Sequence, residues 1–160
     1  MNNIKYLVMD VDGTLTDGKI YMGNHGEVFK AFNIKDGYGI HDLALKANIV
    51  PVIITGRESS IVENRCKELG ISMVFQGVSD KKAKLQEIVN SDNKDMTAVA
   101  FIGDDNNDYS CMELVKNGGG ITACPKDAVK EIVEISDYVC HKNGGDGAVR
   151  EFIEWIISKK

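Results

Sequence analysis

Short apolar runs alternate with amphipathic segments along almost the whole chain. Residues 4–9, Val50–Ile54 and 98–102 are runs of five or six residues, mostly apolar, which is typical of buried strands. Between these runs the apolar residues recur at helical spacing, as they do over 60–70. Strands that alternate with helices need right-handed crossovers and a mainly parallel sheet covered on both faces. The pattern therefore predicts an α/β fold with a doubly wound, mainly parallel sheet.

The same reasoning places the other elements. Ser60, with Glu63 three residues later, forms a capping-box pattern at a helix start, and Ser79 or Asp80 is a candidate cap for the next helix. Short strands are expected at 73–75, 120–123 and 138, and helices at 36–47, 60–70, 80–90, 107–116, 126–135 and 148–158.

A β-hairpin insertion is predicted at about residues 18–33. Two short alternating segments, 19–22 and 28–32, flank a turn over 23–26 that begins and ends with glycine. An isolated two-stranded hairpin is marginal in water, so we expect this one to pack against other subunits. We find no internal repeat or linker, and residues 1–160 are interpreted as a single domain.

Charge and composition narrow the range of partners. The net charge of -5 argues against a nucleic-acid partner, because such proteins usually carry a basic face. No segment resembles a signal peptide or approaches the ~20 apolar residues that span a bilayer. We therefore expect no membrane partner and a cytoplasmic location. The four cysteines lie far apart without metal-ligand or redox spacing.

Polar side chains follow three of the predicted strands where each strand ends. Asp10 and Asp12 follow the first strand, Thr55 follows Val50–Ile54, and Asp104 with Asp105 follows 98–102. The carboxyl ends of parallel strands meet at one edge of the sheet, where ligands bind in open α/β folds. Carboxylates gathered there repel one another, so a cation is needed. An all-oxygen site of this kind suits Mg²⁺.

A lysine at the start of a predicted helix adds positive charge. Lys81, or its neighbour Lys82, lies in the first turn, where a cation opposes the helix dipole by roughly 0.3 to 1 kcal/mol. Its presence there suits a site that binds an anion, although two solvated surface lysines remain an alternative.

Four motifs in order resemble those of the haloacid dehalogenase superfamily of phosphatases. They are Asp-Val-Asp-Gly-Thr at 10–14, Thr55, Lys81 and Gly-Asp-Asp-Asn-Asn-Asp at 103–108. The resemblance implies that Asp10 forms a covalent aspartyl-phosphate and that Asp12 protonates the leaving group and then activates water. It also implies that Thr55 and Lys81 hold the phosphoryl oxygens, with help from the backbone amides around Gly13.

The resemblance further implies a magnesium site. Large members of the superfamily carry a separate cap domain, but only the hairpin lies between Asp12 and the first long helix, so we expect no cap domain here. Asp104 would hold the ion directly, with Asp105 and Asp108 acting through water or indirect contacts. The predicted metal ligands are Asp10, Asp12, Asp104, Asp105 and Asp108.

Further segments are similar to one capless branch, the 3-deoxy-D-manno-octulosonate 8-phosphate phosphatases. They include residues 17–23, 30–40, 54–57, 65–70 and 144–151. The likeness implies a homotetramer, with the hairpin at subunit interfaces, that acts on a phosphorylated keto sugar acid in lipopolysaccharide precursor synthesis.

A substrate of this kind carries a carboxylate, which arginine binds in bidentate fashion. Arg57 is the best candidate, whereas Arg65 could equally be a surface or interface residue. Family likeness suggests a role for Arg150 near a neighbouring subunit's site, and a plain helix-start role is the alternative. The predicted substrate contacts are Gly13, Thr14, Gly56, Arg57, Arg65 and Arg150.

Alternatives remain open at this stage. Phosphatases of nine-carbon keto sugar acid 9-phosphates share the scaffold, although Thr-Gly-Arg at 55–57 favours the eight-carbon acid. A receiver-type signalling domain also combines Asp, Thr, Lys and Mg²⁺, but it carries its acidic pair early and a lone phosphoacceptor in mid-chain. A noncatalytic relative is disfavoured because Asp10 and Asp12 are both present.

Overall fold

The computed structural model describes residues 4–159. Its strands are β1 (Tyr6–Met9), β2 (Tyr21–Gly23), β3 (Gly26–Phe29), β4 (Val50–Ile54), β5 (Met73–Phe75), β6 (Val99–Ile102), β7 (Ile121–Cys124) and β8 (Tyr138–Val139). Its α-helices are α1 (Ile34–Tyr38), α2 (Ser60–Glu68), α3 (Lys81–Ser91), α4 (Asn106–Asn117), α5 (Lys130–Ile135) and α6 (Ala148–Ser158). A π-helix, Gly39–Ala44, follows α1, and a 3₁₀ turn, Met96–Ala98, precedes β6.

Six strands form one parallel sheet in the order β5-β4-β1-β6-β7-β8. The chain leaves β1 toward β4 and β5, and then returns to place β6 on the other side of β1. The strand order therefore reverses beside β1, which is where open α/β sheets bind ligands. The predicted fold class, a mainly parallel sheet with a small hairpin, is confirmed.

Side chains of the central strands alternate between two apolar layers, because successive residues of a strand face opposite sides of the sheet. Leu7 and Met9 of β1 pack with α2 and α6 on one face. Tyr6 and Val8 pack with α3, α4 and α5 on the other face. Both faces are thus covered by helices, as predicted, and the ends of the strands are left to carry the polar groups.

Two helix starts and one helix cap differ from the predictions, whereas α2 begins at Ser60 as predicted. α1 begins at Ile34, before the predicted residue 36, because the Asn33 side chain accepts hydrogen bonds from the next N–H groups. Ser60 is already helical, and Ser59 precedes the helix without a side-chain cap, so the capping-box interpretation is wrong. α5 begins at Lys130 because the chain turns after Pro125, where Ala128 N–H donates to the Pro125 carbonyl.

The hairpin lies at 21–29, within the predicted range. β2 and β3 pair antiparallel, with an irregular register at Tyr21 and Met22. The rings of Tyr21 and Phe29 stack at a centroid distance of 4.4 Å. Val28 and Phe29 remain more than half exposed, at 59% and 51%. The hairpin therefore offers apolar surface that is not covered within the subunit.

The start of α6 is stabilised by a carboxylate from another part of the chain. Asp36, which is 1% exposed, accepts hydrogen bonds from the N–H groups of Gly147 at 3.3 Å and Arg150 at 2.8 Å. The N-cap residue itself, Gly147, has no side chain to offer. Asp36 therefore supplies the acceptor that helix N-termini need.

No helix among residues 4–159 has the length and apolar character required to cross a membrane.

We predict a pH-dependent contribution of Asp36 to stability. Burial raises the pKa of this carboxyl from 3.8 to about 6, despite its backbone hydrogen bonds. The native protein therefore binds more protons than the unfolded chain between about pH 4 and 6, and this contribution to stability decreases as pH rises through that window. Relative to Asp36→Asn, the wild type should lose about 2 to 3 kcal/mol of unfolding free energy between pH 4 and 7.

Urea unfolding of both proteins at several pH values measures this difference. Other carboxyls titrate in both proteins, so their effects cancel in the comparison. A difference that stays constant from pH 4 to 7 would show that Asp36 does not hold a proton in the native state.

Candidate active site and metal centre

Lys81 joins two carboxylates at the carboxyl edge of the sheet. Its Nζ lies 2.8 Å from Asp10 Oδ1 and 2.8 Å from Asp108 Oδ1. All three side chains are at most 4% exposed. β1 positions Asp10, the first turn of α4 positions Asp108, and the start of α3 positions the lysine. The predicted first-turn cation is therefore Lys81.

Asp104 brings a third carboxylate to this group. Its Oδ1 accepts a hydrogen bond from Thr14 Oγ1 at 3.1 Å, and its N–H donates to Asp108 Oδ2 at 3.1 Å. Carboxylate oxygens of Asp10, Asp104 and Asp108 all lie within 4.8 Å of one another. The spatial convergence expected from the strand ends is present for these three residues.

The charges of this group do not balance. Burial and the carboxylate of Asp108 raise the pKa of Asp10, although Lys81 lowers it. Burial and the neighbouring Asp10 and Asp108 raise the pKa of Asp104. Burial lowers the pKa of Lys81, but the two carboxylates beside it raise the pKa by more. Three carboxylates and one ammonium thus leave an excess of negative charge that a divalent cation would neutralise.

The donor set fits a hard cation. Carboxylate oxygens are the ligands that Mg²⁺ prefers, and one or two carboxylates with waters and phosphate oxygens complete its coordination. Two other predicted ligands lie apart from this group. Asp105 is exposed and caps α4, and Asp12 has its carboxylate bound to a lysine. Metal roles for Asp12 and Asp105 stay predictions.

Gly13 allows the loop after β1 to approach Asp104. Its φ is +92°, a conformation that favours glycine, and a Cβ there would overlap the Asp104 carboxylate. Its N–H donates to Thr16 Oγ1 at 3.1 Å. This amide already has a partner, and its predicted contact with phosphate stays a prediction.

An open pocket of about 240 Å³ lies in front of these groups. It is lined by Asp10, Asp12, Gly18, Thr55, Gly56, Arg57, Asp104, Asp105 and Asn107. Seven of these nine residues are predicted site residues, and the sequence analysis missed Gly18 and Asn107. A groove of about 690 Å³ near Ile4 and Trp155 is larger, but among residues 4–159 the carboxylates that could hold a metal ion are Asp10, Asp104 and Asp108, which do not line it. The smaller pocket is therefore the candidate active site.

Asp12 is held by a lysine of the segment that follows β3. Lys30 Nζ lies 2.6 Å from Asp12 Oδ1 and 3.1 Å from Glu27 Oε2. The side chain of Lys30 is 2% exposed, while that of Asp12 is 21% exposed. The carboxylate of Asp12 thus reaches the pocket, whereas its partner lies behind it.

Arg57 lies at the mouth of the pocket and is also linked to the hairpin. Its Nη2 is 3.4 Å from Glu27 Oε2, and its side chain is 47% exposed. Sequence reasoning found Arg57 but missed Glu27 and Lys30. The available signal was a pair of opposite charges three residues apart, with apolar residues between them, on the returning side of the hairpin.

Arg65 and Arg150 lie outside the pocket within one subunit. Arg65 Nη1 pairs with Glu68 Oε2 at 2.8 Å, and its guanidinium packs against Gly37. Arg150 Nε pairs with Glu154 Oε1 at 2.7 Å, and its guanidinium lies over the ring of Tyr38. Their predicted substrate contacts find no support in a single subunit.

Comparisons with known proteins agree with the fold and indicate the class of protein. Residues 72–153 match the family described as haloacid dehalogenase-like hydrolase. The 3-deoxy-D-manno-octulosonate 8-phosphate phosphatase of Salmonella typhi is 44% identical over 155 residues, which cover 97% of this chain and 80% of that protein.

Two solved structures are similar over nearly the whole chain. The phosphatase of the same name from Yersinia pestis superimposes with a TM-score of 0.90 at 40% identity, covering 98% of this chain and 82% of the other. That from Moraxella catarrhalis, solved with a magnesium ion, a phosphate ion and a KDO molecule, gives a TM-score of 0.91 at 37% identity and covers 99% and 88%.

The fold and the acidic site define a phosphatase, and the relatives confirm this prediction. The chain belongs to the haloacid dehalogenase-like hydrolase family. Its resemblance to the 3-deoxy-D-manno-octulosonate 8-phosphate phosphatases is confirmed as well. This membership sets aside the receiver-type alternative.

We predict that Mg²⁺ stabilises the protein through Asp104. A ligand that binds only the native state adds about 2.7 kcal/mol at a concentration a hundred times its Kd. That gain corresponds to a rise of roughly 5 to 10 °C in the thermal midpoint for a chain of this size. Asp104→Asn should lose most of this rise, because the variant keeps the shape of the side chain but not its charge.

Asp95→Asn is the matched control, since Asp95 is exposed and precedes the opposite end of β6. It should keep the full response to Mg²⁺. An unchanged response in Asp104→Asn would remove Asp104 from the metal site.

Proposed function

We propose that this chain hydrolyses a phosphorylated keto sugar acid, with 3-deoxy-D-manno-octulosonate 8-phosphate as its substrate and Mg²⁺ as its cofactor. The observation that carries the proposal is the grouping of Asp10, Asp104, Asp108 and Lys81 beside an open pocket. Relatives 44% identical bear the name of this activity. A cytoplasmic location stays a prediction of the sequence.

Asp10 is the proposed nucleophile. A carboxylate oxygen of Asp10 attacks phosphorus while the bond from phosphorus to the sugar oxygen breaks, which leaves an aspartyl-phosphate. Asp10 and Asp104 would hold Mg²⁺, which would supply positive charge to neutralise the phosphate and the carboxylates. Lys81 keeps Asp10 in place through its short ionic hydrogen bond and adds a further positive charge.

Asp12 is the proposed acid and base. It gives a proton to the sugar oxygen as the first bond breaks, and it takes a proton from the water that then attacks phosphorus and releases phosphate from Asp10. Its carboxylate lines the pocket together with that of Asp10. Thr55, which is buried just after β4 and lines the pocket, is the proposed ligand of a phosphoryl oxygen.

Arg57 is the proposed partner of the substrate's carboxylate. It lines the pocket, and it is the only one of the chain's three arginines to do so. Its guanidinium is half exposed at the mouth, where a bidentate contact can form without displacing the metal-site carboxylates.

We further propose that the active form is a homotetramer with the hairpin at subunit interfaces. Ile20, Met22, Val28 and Phe29 are all more than 40% exposed, and monomers rarely leave such contiguous apolar surface uncovered. The pocket of about 240 Å³ is also smaller than the roughly 300 to 1,000 Å³ typical of ligand sites. A neighbouring hairpin would extend its walls.

The first test measures phosphate release in Mg²⁺. The wild type should act on 3-deoxy-D-manno-octulosonate 8-phosphate and more slowly on p-nitrophenyl phosphate. Asp10→Asn should lower kcat on both substrates by at least about a thousandfold, because it removes the nucleophile. Arg57→Met should raise KM about tenfold or more for the sugar acid only, because one charge-assisted contact is lost.

Three outcomes would count against this assignment. Activity that survives in Asp10→Asn would exclude the nucleophile. A wild type that prefers sugar phosphates lacking a carboxylate would exclude the role of Arg57. A higher kcat/KM with the nine-carbon acid 9-phosphate would favour the alternative substrate.

The second test concerns assembly. Val28→Glu should dissociate the tetramer, because it buries a charge at the proposed interface. Sedimentation velocity measures the change, and phosphate release should fall with it. Val139→Glu, the same substitution at a valine 40% exposed on the sheet edge, is the control and should leave a tetramer. A wild type that is monomeric and fully active at low concentration would disprove the proposal.

A further inference from the structure

Four charged side chains form a continuous row of ion pairs from the pocket to its mouth. Asp12 Oδ1, Lys30 Nζ and Glu27 Oε2 are joined by contacts of 2.6 Å and 3.1 Å. Glu27 Oε2 then lies 3.4 Å from Arg57 Nη2. The two inner members, Lys30 and Glu27, both come from the returning side of the hairpin and do not line the pocket.

Lys30 is the buried centre of this row of charged side chains. Its side chain is 2% exposed, although the residue as a whole is only half-buried. A buried ammonium is costly unless paired and hydrogen-bonded, and Lys30 has a carboxylate on each side. Because this nearly buried ammonium contacts a carboxylate on each side, its position is constrained, and so is that of the Asp12 oxygen that it holds.

Asp12 has little else to fix its orientation. Among residues 4–159, Lys30 is the only residue that makes an ion pair with the Asp12 side chain, whereas Asp10 and Asp108 share Lys81. The Lys30 contact leaves the other carboxylate oxygen of Asp12 available to the pocket. A carboxylate that transfers a proton must present one oxygen to the reacting atom within hydrogen-bond reach.

We propose that Lys30 is a positioning residue for Asp12, and that Glu27 holds Lys30 in place. This inference rests on the proposed role of Asp12 as the acid that protonates the leaving group. The hairpin therefore takes part in the chemistry of its own subunit, in addition to any part it plays between subunits. Lys30 acts through Asp12 and touches no substrate.

The test uses two substrates that differ in the leaving group alone. Phenyl phosphate and p-nitrophenyl phosphate both lack a carboxylate, but p-nitrophenolate is the better leaving group and needs less protonation. Since kcat/KM covers the steps up to the first irreversible one, it reports on cleavage of the ester bond. Lys30→Met should lower kcat/KM for phenyl phosphate at least about tenfold more than for p-nitrophenyl phosphate.

Two further variants make the result specific. Lys30→Arg keeps the charge with a different geometry and should show a smaller change in the substrate ratio; it also serves if Lys30→Met does not fold, as judged by thermal unfolding. Lys19→Met, the same substitution at an exposed lysine on the outgoing side of the hairpin, should leave the ratio as in the wild type.

Other results with these variants would contradict the role of Lys30. An equal loss on both substrates would show a general structural or electrostatic effect and would overturn the inference. An unchanged ratio in folded Lys30→Met and Lys30→Arg would overturn it as well. If Asp10→Asn remained active on both substrates, the proposed function itself would fail, so the two failures are distinguishable.

Discussion

The structure depends on one electrostatic constraint: three carboxylates meet at the carboxyl edge of the sheet, and two of them, those of Asp10 and Asp108, are buried against a single lysine. Such a group is unfavourable unless its charges are compensated. Four elements meet to form it, since Asp10 follows β1, Asp104 follows β6, Asp108 lies in α4 and Lys81 begins α3. Lys81 opposes the dipole of its own helix, and two contacts of 2.8 Å with carboxylates more than offset this cost. A second cation completes the balance, and that requirement links the fold to a metal-dependent reaction.

A second, separate set of charges extends from the pocket toward the hairpin. Asp12 belongs to it through Lys30 and not to the group around Lys81. The two aspartates of the first motif are two residues apart, yet they have different cationic partners from different elements. This separation suits residues with different roles, because the environment of each can be set independently.

Much of the site could be predicted from the sequence, and the reason is geometric. Asp10, Thr55 and Asp104 each follow a short apolar run, and parallel strands bring their carboxyl ends together whatever the details of packing. Lys30 and Glu27 could not be found in this way. Their positions depend on where the hairpin folds back, and its register is irregular at Tyr21 and Met22. The periodicity of a short segment does not determine a contact of that kind.

Two arginines show that sequence reasoning also selects residues that lie outside the pocket. Arg65 was a candidate because arginine binds carboxylates, and Arg150 because of family likeness, but within the subunit each packs beside a glycine of the segment after the hairpin. A Cβ at Gly37 would meet Arg65, and one at Gly39 would meet Arg150. The helix starts were mispredicted for a related reason, because Asn33 and Pro125 act through local hydrogen bonding and turn geometry that apolar spacing does not reveal.

The glycine-rich segment before α6 contacts both the loop after β1 and the segment after the hairpin. Gly145 N–H donates to the Thr14 carbonyl at 3.1 Å, and a Cβ at Gly144 would overlap the carbonyl oxygen of Gly13. These glycines are therefore required by close packing against the loop that carries the proposed nucleophile. The position of the segment depends in turn on Asp36, which caps α6 from the chain just after the hairpin. The loop after β1 is thus packed against a segment from the C-terminal part of the chain. This packing explains how a small domain keeps a glycine-dependent turn in a fixed position beside Asp104.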